Sequence, residues 1–302
     1  MYLIVSHFGI SNYLKPILKW NRELWGDKCI FIGDKVNRSL AIDCGWIFYN
    51  MDDLPCQSKR FQFLESYKDI AGISHQNYKN GRNWLRYVFE RWFIIEELVQ
   101  DLKEIDFLHF DSDVLLTSKH GLNSIIKSMR GSGQCTTQCN DMCLNGYVTI
   151  DVLSNYTSSM IQQFNDKELL QKNLDEFETE KSYAFTEMRA FQNFRKGSSL
   201  LKHGLELDDW IMDDCLAQSQ GFLSEKLLNG RTVKKLFFDS GICYITKDEI
   251  NYKKICAINF SWLETSYIRR VQKILSSQEN KTGIFHWSDL RYLPKFIKRR
   301  LI

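Results

Sequence analysis

The chain has 302 residues and a formal charge of only +3, which argues against a dedicated nucleic-acid binder that needs a strong basic field. Hydrophobic residues at 44% and aromatics at 14% supply a sizeable core and exclude global disorder, and no run approaches the ~20 apolar residues of a membrane span. Nine scattered cysteines, an odd number, read as free thiols of a reducing compartment; with no basic leader before the first short apolar run, a cytoplasmic protein is expected.

Tyr2-Leu-Ile-Val5 is a candidate first strand, and Ser6-His7-Phe8-Gly9 a turn suited to close ligand approach. A helix is expected over residues 12–24, with Leu14, Ile17, Leu18 and Leu24 on one face. Residues 29–33 and 45–49 read as further buried strands, and this alternation predicts a doubly wound, mostly parallel sheet. Residues 55–80 are polar and mixed, read only as helix and loop. A long helix follows over 84–102, where Trp84, Tyr87, Val88, Trp92, Ile95 and Val99 recur at helical spacing. It carries Arg86 and Arg91, each of which either pairs with a glutamate or reaches the phosphates or sugar of a ligand.

The chain is organised around Asp111-Ser112-Asp113. An apolar run from Ile105 leads into two acids one residue apart, and a second apolar run follows. In extended chain, residues i and i+2 point to one side, so both carboxylates are expected to leave a buried strand end together. Two acids there have no stability rationale unless a cation sits between them, which points to a divalent metal and a phosphate-bearing ligand at the carboxyl edge of the sheet. The bland reading is a solvated turn.

Further on come a helix near 120–129, a strand over 144–150 opening with Asn145-Gly146, and a helix over 152–175. Thr186 is a candidate N-cap with Glu187 in the first turn of the next helix. Asp213 and Asp214 belong to an acidic cluster, and strands near 233–238 and 242–246 suggest a small antiparallel section. Residues 264–302 are basic and end in Lys295-Phe-Ile-Lys-Arg-Arg-Leu-Ile302, either a solvated helix end or a weak contact with an anionic membrane surface. Cys135, Cys139 and Cys143 stand four apart, so a cysteine-held zinc or iron–sulfur centre is an alternative reading of the chain. Equal spacing and the surrounding Gly131, Gly133, Asn140 and Asp141 favour incidental thiols.

Trp84 to Phe93 with Arg91-Trp92, followed by His109-Phe-Asp-Ser-Asp113-Val-Leu-Leu, resembles nucleotide-sugar-dependent glycosyltransferases of the GT-A fold with an Asp-x-Asp motif, closest to bacterial and viral members. Asn145-Gly-Tyr-Val stands where the glycogenin-like branch has an Asn-x-Gly-Val strand. The resemblance covers residues 1–250 and implies one α/β GT-A domain there, with residues 251–302 as a helical, basic extension closing the site.

What the resemblance implies is a Mn²⁺- or Mg²⁺-dependent transfer from a nucleotide sugar, by default a UDP-sugar, to a hydroxyl of a glycan or lipid-linked glycan. Asp113 would hold the metal and Asp111 the metal, its water or the ribose, while Ser6, His7, Arg86, Arg91 and Ser112 would lie against the donor. Glu187 is the first choice for the acid beside the reacting sugar carbon, Asp213 and Asp214 the second. A third metal ligand would be His286, though Asp289 stands where a glycine is expected, or else Asn259. A binding module that keeps the fold without turnover is the remaining alternative.

Overall fold

The computed structural model describes residues 1–70, 78–79, 82–180, 184–196, 198–207, 209–227, 229–277 and 281–283. The chain opens with β1 (Leu3–Ser6), α1 (Leu14–Trp25), β2 (Cys29–Gly33), α2 (Arg38–Asp43), β3 (Ile47–Asn50) and α3 (Ser58–Ser66). The short pair β4 (Tyr78–Lys79) and β5 (Arg82–Asn83) leads into α4 (Trp84–Asp101) and β6 (Asp106–His109). Strands β3, β2, β1 and β6 lie side by side and parallel, and β10 (Gly146–Thr149) closes the sheet antiparallel to β6. The α/β expectation holds: a mostly parallel central sheet flanked by helices, with smaller antiparallel sheets beside it.

The two apolar runs on either side of the acidic pair are two strands in two sheets. Past β6 the chain turns at Asp111, whose carbonyl accepts from the Val114 amide at 3.0 Å, and enters β7 (Val114–Leu116). β7 runs antiparallel to the far end of β17 (Lys253–Asn259), pairing Val114 with Asn259. On its other side, Asn21 of α1 supplies what a neighbouring strand would: its side-chain amide donates to the Val114 carbonyl and its oxygen accepts from the Leu116 amide, both at 2.9 Å.

Between β7 and β17 lie α5 (Lys119–Ser132), β8 (Cys135–Gln138), β9 (Cys143–Leu144), α6 (Ile150–Asn165), α7 (Lys167–Thr179), α8 (Glu187–Arg195), β11 (Leu201–His203), β12 (Trp210–Met212), β13 (Ser224–Lys226), β14 (Thr232–Lys234), β15 (Phe237–Asp239) and β16 (Ile242–Ile245). The single helix expected over 152–175 is broken at Asp166, whose side chain accepts from the amides of Glu168 and Leu169 and so starts α7 as an N-cap. After β17 the described chain closes with α9 (Thr265–Ser277) and β18 (Lys281–Thr282). β17 pairs with β12 and β16 as well as β7, so a boundary at residue 250 falls between two hydrogen-bonded strands of one sheet.

Apolar side chains on the two faces of the parallel sheet form separate cores. One gathers Phe63, Phe89, Phe93, Phe164 and Phe185 under α3, α4, α6 and α8; the other packs Phe31, Trp46 and Phe110 against α1 and α5. A third lies between the second sheet and α9. Each ring fully buried in these layers contributes about 1.5–3 kcal/mol by leaving water.

α4 is buried nearly all round, acids included. Glu90 and Glu97 meet Arg60 of α3 at 3.0 and 3.4 Å, and Glu96 meets Lys59 at 2.8 Å, so the polar side of α4 is covered by a neighbouring helix of opposite charge. No helix among the described residues is long and apolar enough to cross a membrane. His286 and the basic Lys295–Ile302 tail lie outside the described residues.

Candidate active site

The Asp111–Asp113 turn lies where the two sheets meet, walled by the loop after β1, by α4, by the start of α8 and by the loop after β17. Ser112 is the anchor. Its buried hydroxyl lies 2.9 Å from His7 Nδ1 and 3.3 Å from the Tyr13 hydroxyl, while the other imidazole nitrogen meets Ser11 at 3.3 Å. Two residues missed in the sequence hold the His7–Gly9 loop in place. Asp34 accepts from the Gly9 amide at 2.8 Å, and the buried Asn37 donates to the carbonyls of His7 and Gly9. Gly33 makes room for Asn37, since a Cβ there would strike the Asn37 side-chain oxygen. An Asp and an Asn after a strand read ordinarily as turn formers, so no sequence signal separates this role from that one.

The segment is a turn and not extended strand, and its two carboxylates take different partners while still feeling each other's charge. Asp111 swings toward α4, where Arg91 donates to its Oδ1 at 2.8 Å. The same guanidinium reaches Glu187 at 3.3 Å, so one cation bridges the acidic turn and the start of α8. Asp113 faces the other wall. Its Oδ2 accepts from the Ser261 hydroxyl at 2.9 Å, its carbonyl from the Phe260 amide, and its buried Oδ1 has no hydrogen-bond partner.

These surroundings set three different acidities. Burial works upward on Asp111 most strongly, but the charge and hydrogen bond of Arg91 outweigh it and hold the carboxyl below its usual range. Burial, then the neighbouring Asp111 charge, pushes Asp113 up to about 6. Burial pushes Glu187 up to about 7 against the pull of Arg91. His109 is a core residue: fully buried against Trp92, it is driven down to about 3 by burial and by Arg91 and stays neutral.

Of the other expected site residues, Ser6 is buried beneath the loop, and Arg86 lies one turn from Arg91 beside Glu90 at 3.6 Å. Thr186 occupies the N-cap position of α8 without a side-chain capping bond. Asp213 and Asp214 are wholly buried. Asp213 pairs with Lys234 at 2.6 Å, and Asp214 is held by His203, the Asn140 amide and Gln220 at 3.0, 2.7 and 2.8 Å. Each keeps one buried carboxylate oxygen without a hydrogen-bond partner, but the ion pair with Lys234 gives Asp213 a cation of its own.

Asn259 is brought to the acidic turn. Its oxygen accepts from the Ser261 amide at 2.8 Å, two residues from the contact with Asp113, and its amide nitrogen lies 3.8 Å from Cys139 Sγ. Three residues on, where a glycine is expected, stands Trp262 with φ of +64°, the left-handed backbone a glycine would adopt at no cost. Of the three spaced thiols, Cys139 and Cys143 lie in side-chain contact, with Cys143 also bonding the Gln138 carbonyl, while Cys135 bonds Thr149; Cys139 is the one that adjoins Asn259. Among the described residues no group of three or more His, Cys, Asp or Glu side chains is placed to hold a metal ion.

No protein-family profile matches the chain, and no curated protein matches it. Solved structures do. Mouse xyloside xylosyltransferase 1 in its apo form is similar over 70% of this chain and 87% of its own, at 8% identity and a TM-score of 0.42. A glycosyltransferase involved in the glycosylation of the major capsid of PBCV-1 is similar over 67% of this chain and 81% of its own, at 14% identity and a TM-score of 0.27.

Proposed function

We propose that this chain is a glycosyltransferase that moves a sugar from a nucleoside diphosphate, uridine diphosphate by resemblance, to a hydroxyl of a glycan acceptor. The observation that carries the reading is the buried, unpartnered Asp113 Oδ1 in a turn whose neighbouring acid is already neutralised by Arg91. A carboxylate oxygen left open between two sheets is a hard ligand of the kind Mg²⁺ and Mn²⁺ take. Such ions are commonly bound by one or two carboxylates, with water and substrate phosphates completing the shell. The donor set therefore fits a divalent cation: Asp113 would hold it, with Asp111, Asn259 and Ser261 beside it. When bound, the ion neutralises charge that builds on the departing diphosphate.

The chain's own groups supply the rest. Ser112, His7 and Tyr13 fix the turn, and Arg91 keeps Asp111 ionised and places Glu187 across from it. Glu187, with its acidity near neutral, suits the task of taking the proton of the incoming hydroxyl. The test is thermal unfolding with a panel of nucleoside diphosphates and Mn²⁺. Uridine diphosphate and the ion together raise the melting temperature of the native protein, and Asp113→Ala abolishes both that rise and hydrolysis of the UDP-sugar. Retained turnover in Asp113→Ala removes the metal argument. Nucleotide binding without transfer to any acceptor favours the non-catalytic module.

A further inference from the structure

A polar groove of about 640 Å³ runs between α7 and α8 and is closed at one end by the Cys139–Asp141 turn. Its size lies within the ~300–1,000 Å³ of ordinary ligand sites. One wall, α8, and the closing turn are both tied to the acidic turn. α8 begins at Glu187, joined through Arg91 to Asp111. The Cys139–Asp141 turn adjoins Asn259 through Cys139 Sγ, and Asn259 adjoins Ser261 and so Asp113. Cys139, Asn140 and Asp141 are three consecutive non-glycine residues in left-handed backbone, with φ of +57°, +53° and +61°. Asn and Asp visit that conformation readily, but three such residues in a row, Cys139 among them, persist where the surroundings impose it, which is commonest at ligand sites. The surroundings are explicit: Asp214 accepts from the Asn140 amide, and Arg195 of α8 grips Asp141 at 2.8 Å.

The lining says what would fit. Gln192 lines the groove beside Asn140, held by Gln218 and Gln220, and Asn193, held by Gln163, and apolar lining is confined to Leu169 and Phe185. Four cations face two anions there. Arg195 is engaged by Asp141 and Arg189 lies 4.0 Å from Glu176, while Lys172 and Lys196 form no ion pair with a described residue. We infer that this groove binds the acceptor, and that the acceptor is an anionic saccharide bearing carboxylate or phosphate groups. The acceptor role and its being a saccharide rest on the transferase reading; its charge follows from the lining.

The test is a glycan array carrying uronate-, sialate- and phosphate-bearing oligosaccharides beside neutral ones of equal length, run with and without uridine diphosphate and Mn²⁺. Anionic glycans are retained over neutral ones, and the Lys172→Ala/Lys196→Ala protein loses at least tenfold in retention while keeping its melting temperature. For the unaltered protein, retention falls as salt rises from about 50 to about 300 mM, because exposed charges are screened. Equal retention of neutral and anionic glycans, an unaltered double variant, or a blank array overturns the inference. A blank array with an intact uridine diphosphate shift sinks the groove alone; retained anionic glycans with no nucleotide effect sink the transfer reading instead.

Discussion

Arg91 and Asp111, twenty positions apart in the sequence, meet at 2.8 Å, and the arginine then reaches on to Glu187 of α8. One guanidinium thereby compensates two acids in a site where Arg91 and Glu187 are almost fully buried. Removing it leaves both carboxylates without their cation. Arg91→Met is expected to cost about 3–5 kcal/mol of stability by denaturant unfolding, as for other broken buried pairs. A loss under about 1 kcal/mol would show that water compensates the acids equally well.

Asp113 has the opposite problem, an acid with one oxygen open and a like charge nearby. Its proton is held up to about 6, and a divalent ion must displace that proton to bind. Stabilisation by Mn²⁺ with uridine diphosphate is therefore expected to be full near pH 7.5 and to fall away as pH drops through about 6. Asp113→Asn should show no stabilisation at either pH. A thermal shift of equal size at pH 5 and pH 7.5 would mean that the carboxylate does not hold the ion.

Glu187 gives a second pH signature with its sign fixed by burial. Its carboxyl binds a proton more tightly folded, at about 7, than at its ordinary 4.5. The folded state is thus favoured by this group below about 4.5, and that contribution is lost as pH rises through about 7. Wild type should lose up to about 3 kcal/mol relative to Glu187→Gln over that interval, read as the difference between their unfolding free energies at each pH. A difference that stays flat with pH would place the Glu187 proton elsewhere.

The alternation of apolar runs made the parallel sheet legible, because strands β1, β2 and β6 are buried on both faces and read as near-continuous hydrophobic segments, whereas β3, expected to be buried too, is an edge strand with Ile47 exposed. The acidic turn was legible for the same reason: two acids between two buried runs have few structural uses. What could not be read was where the second run goes. β7 leaves the first sheet and pairs with β17, more than 130 residues later, and no local pattern records a partner that distant. The same holds for Glu90, Glu96 and Glu97. They sit on the polar side of a clear amphipathic pattern, yet Lys59 and Arg60, from a stretch with no strong periodicity, cover them. Arg91 stood out only as one of two arginines on α4; that it, and not Arg86, reaches the acids depends on which face of the helix the turn meets.

Asp213, the second choice for the reacting acid, has a buried cation of its own. It lies with Lys234 in the interior, 2.6 Å apart and both essentially inaccessible, and the ammonium also donates to the Cys215 carbonyl and to Gln220. Burial drives the Asp213 carboxyl upward and the lysine charge draws it back. Lys234→Met alone leaves an uncompensated acid and is expected to cost about 3–5 kcal/mol, whereas the Asp213→Asn/Lys234→Met double variant should recover most of that loss. The Asn259 backbone also draws the Asp213 carboxyl down, and Asn259 borders the acidic turn, so the double variant tests the packing role directly: it should keep the full thermal shift with Mn²⁺ and uridine diphosphate. Loss of that shift in a protein with recovered stability would place Asp213 at the reacting centre.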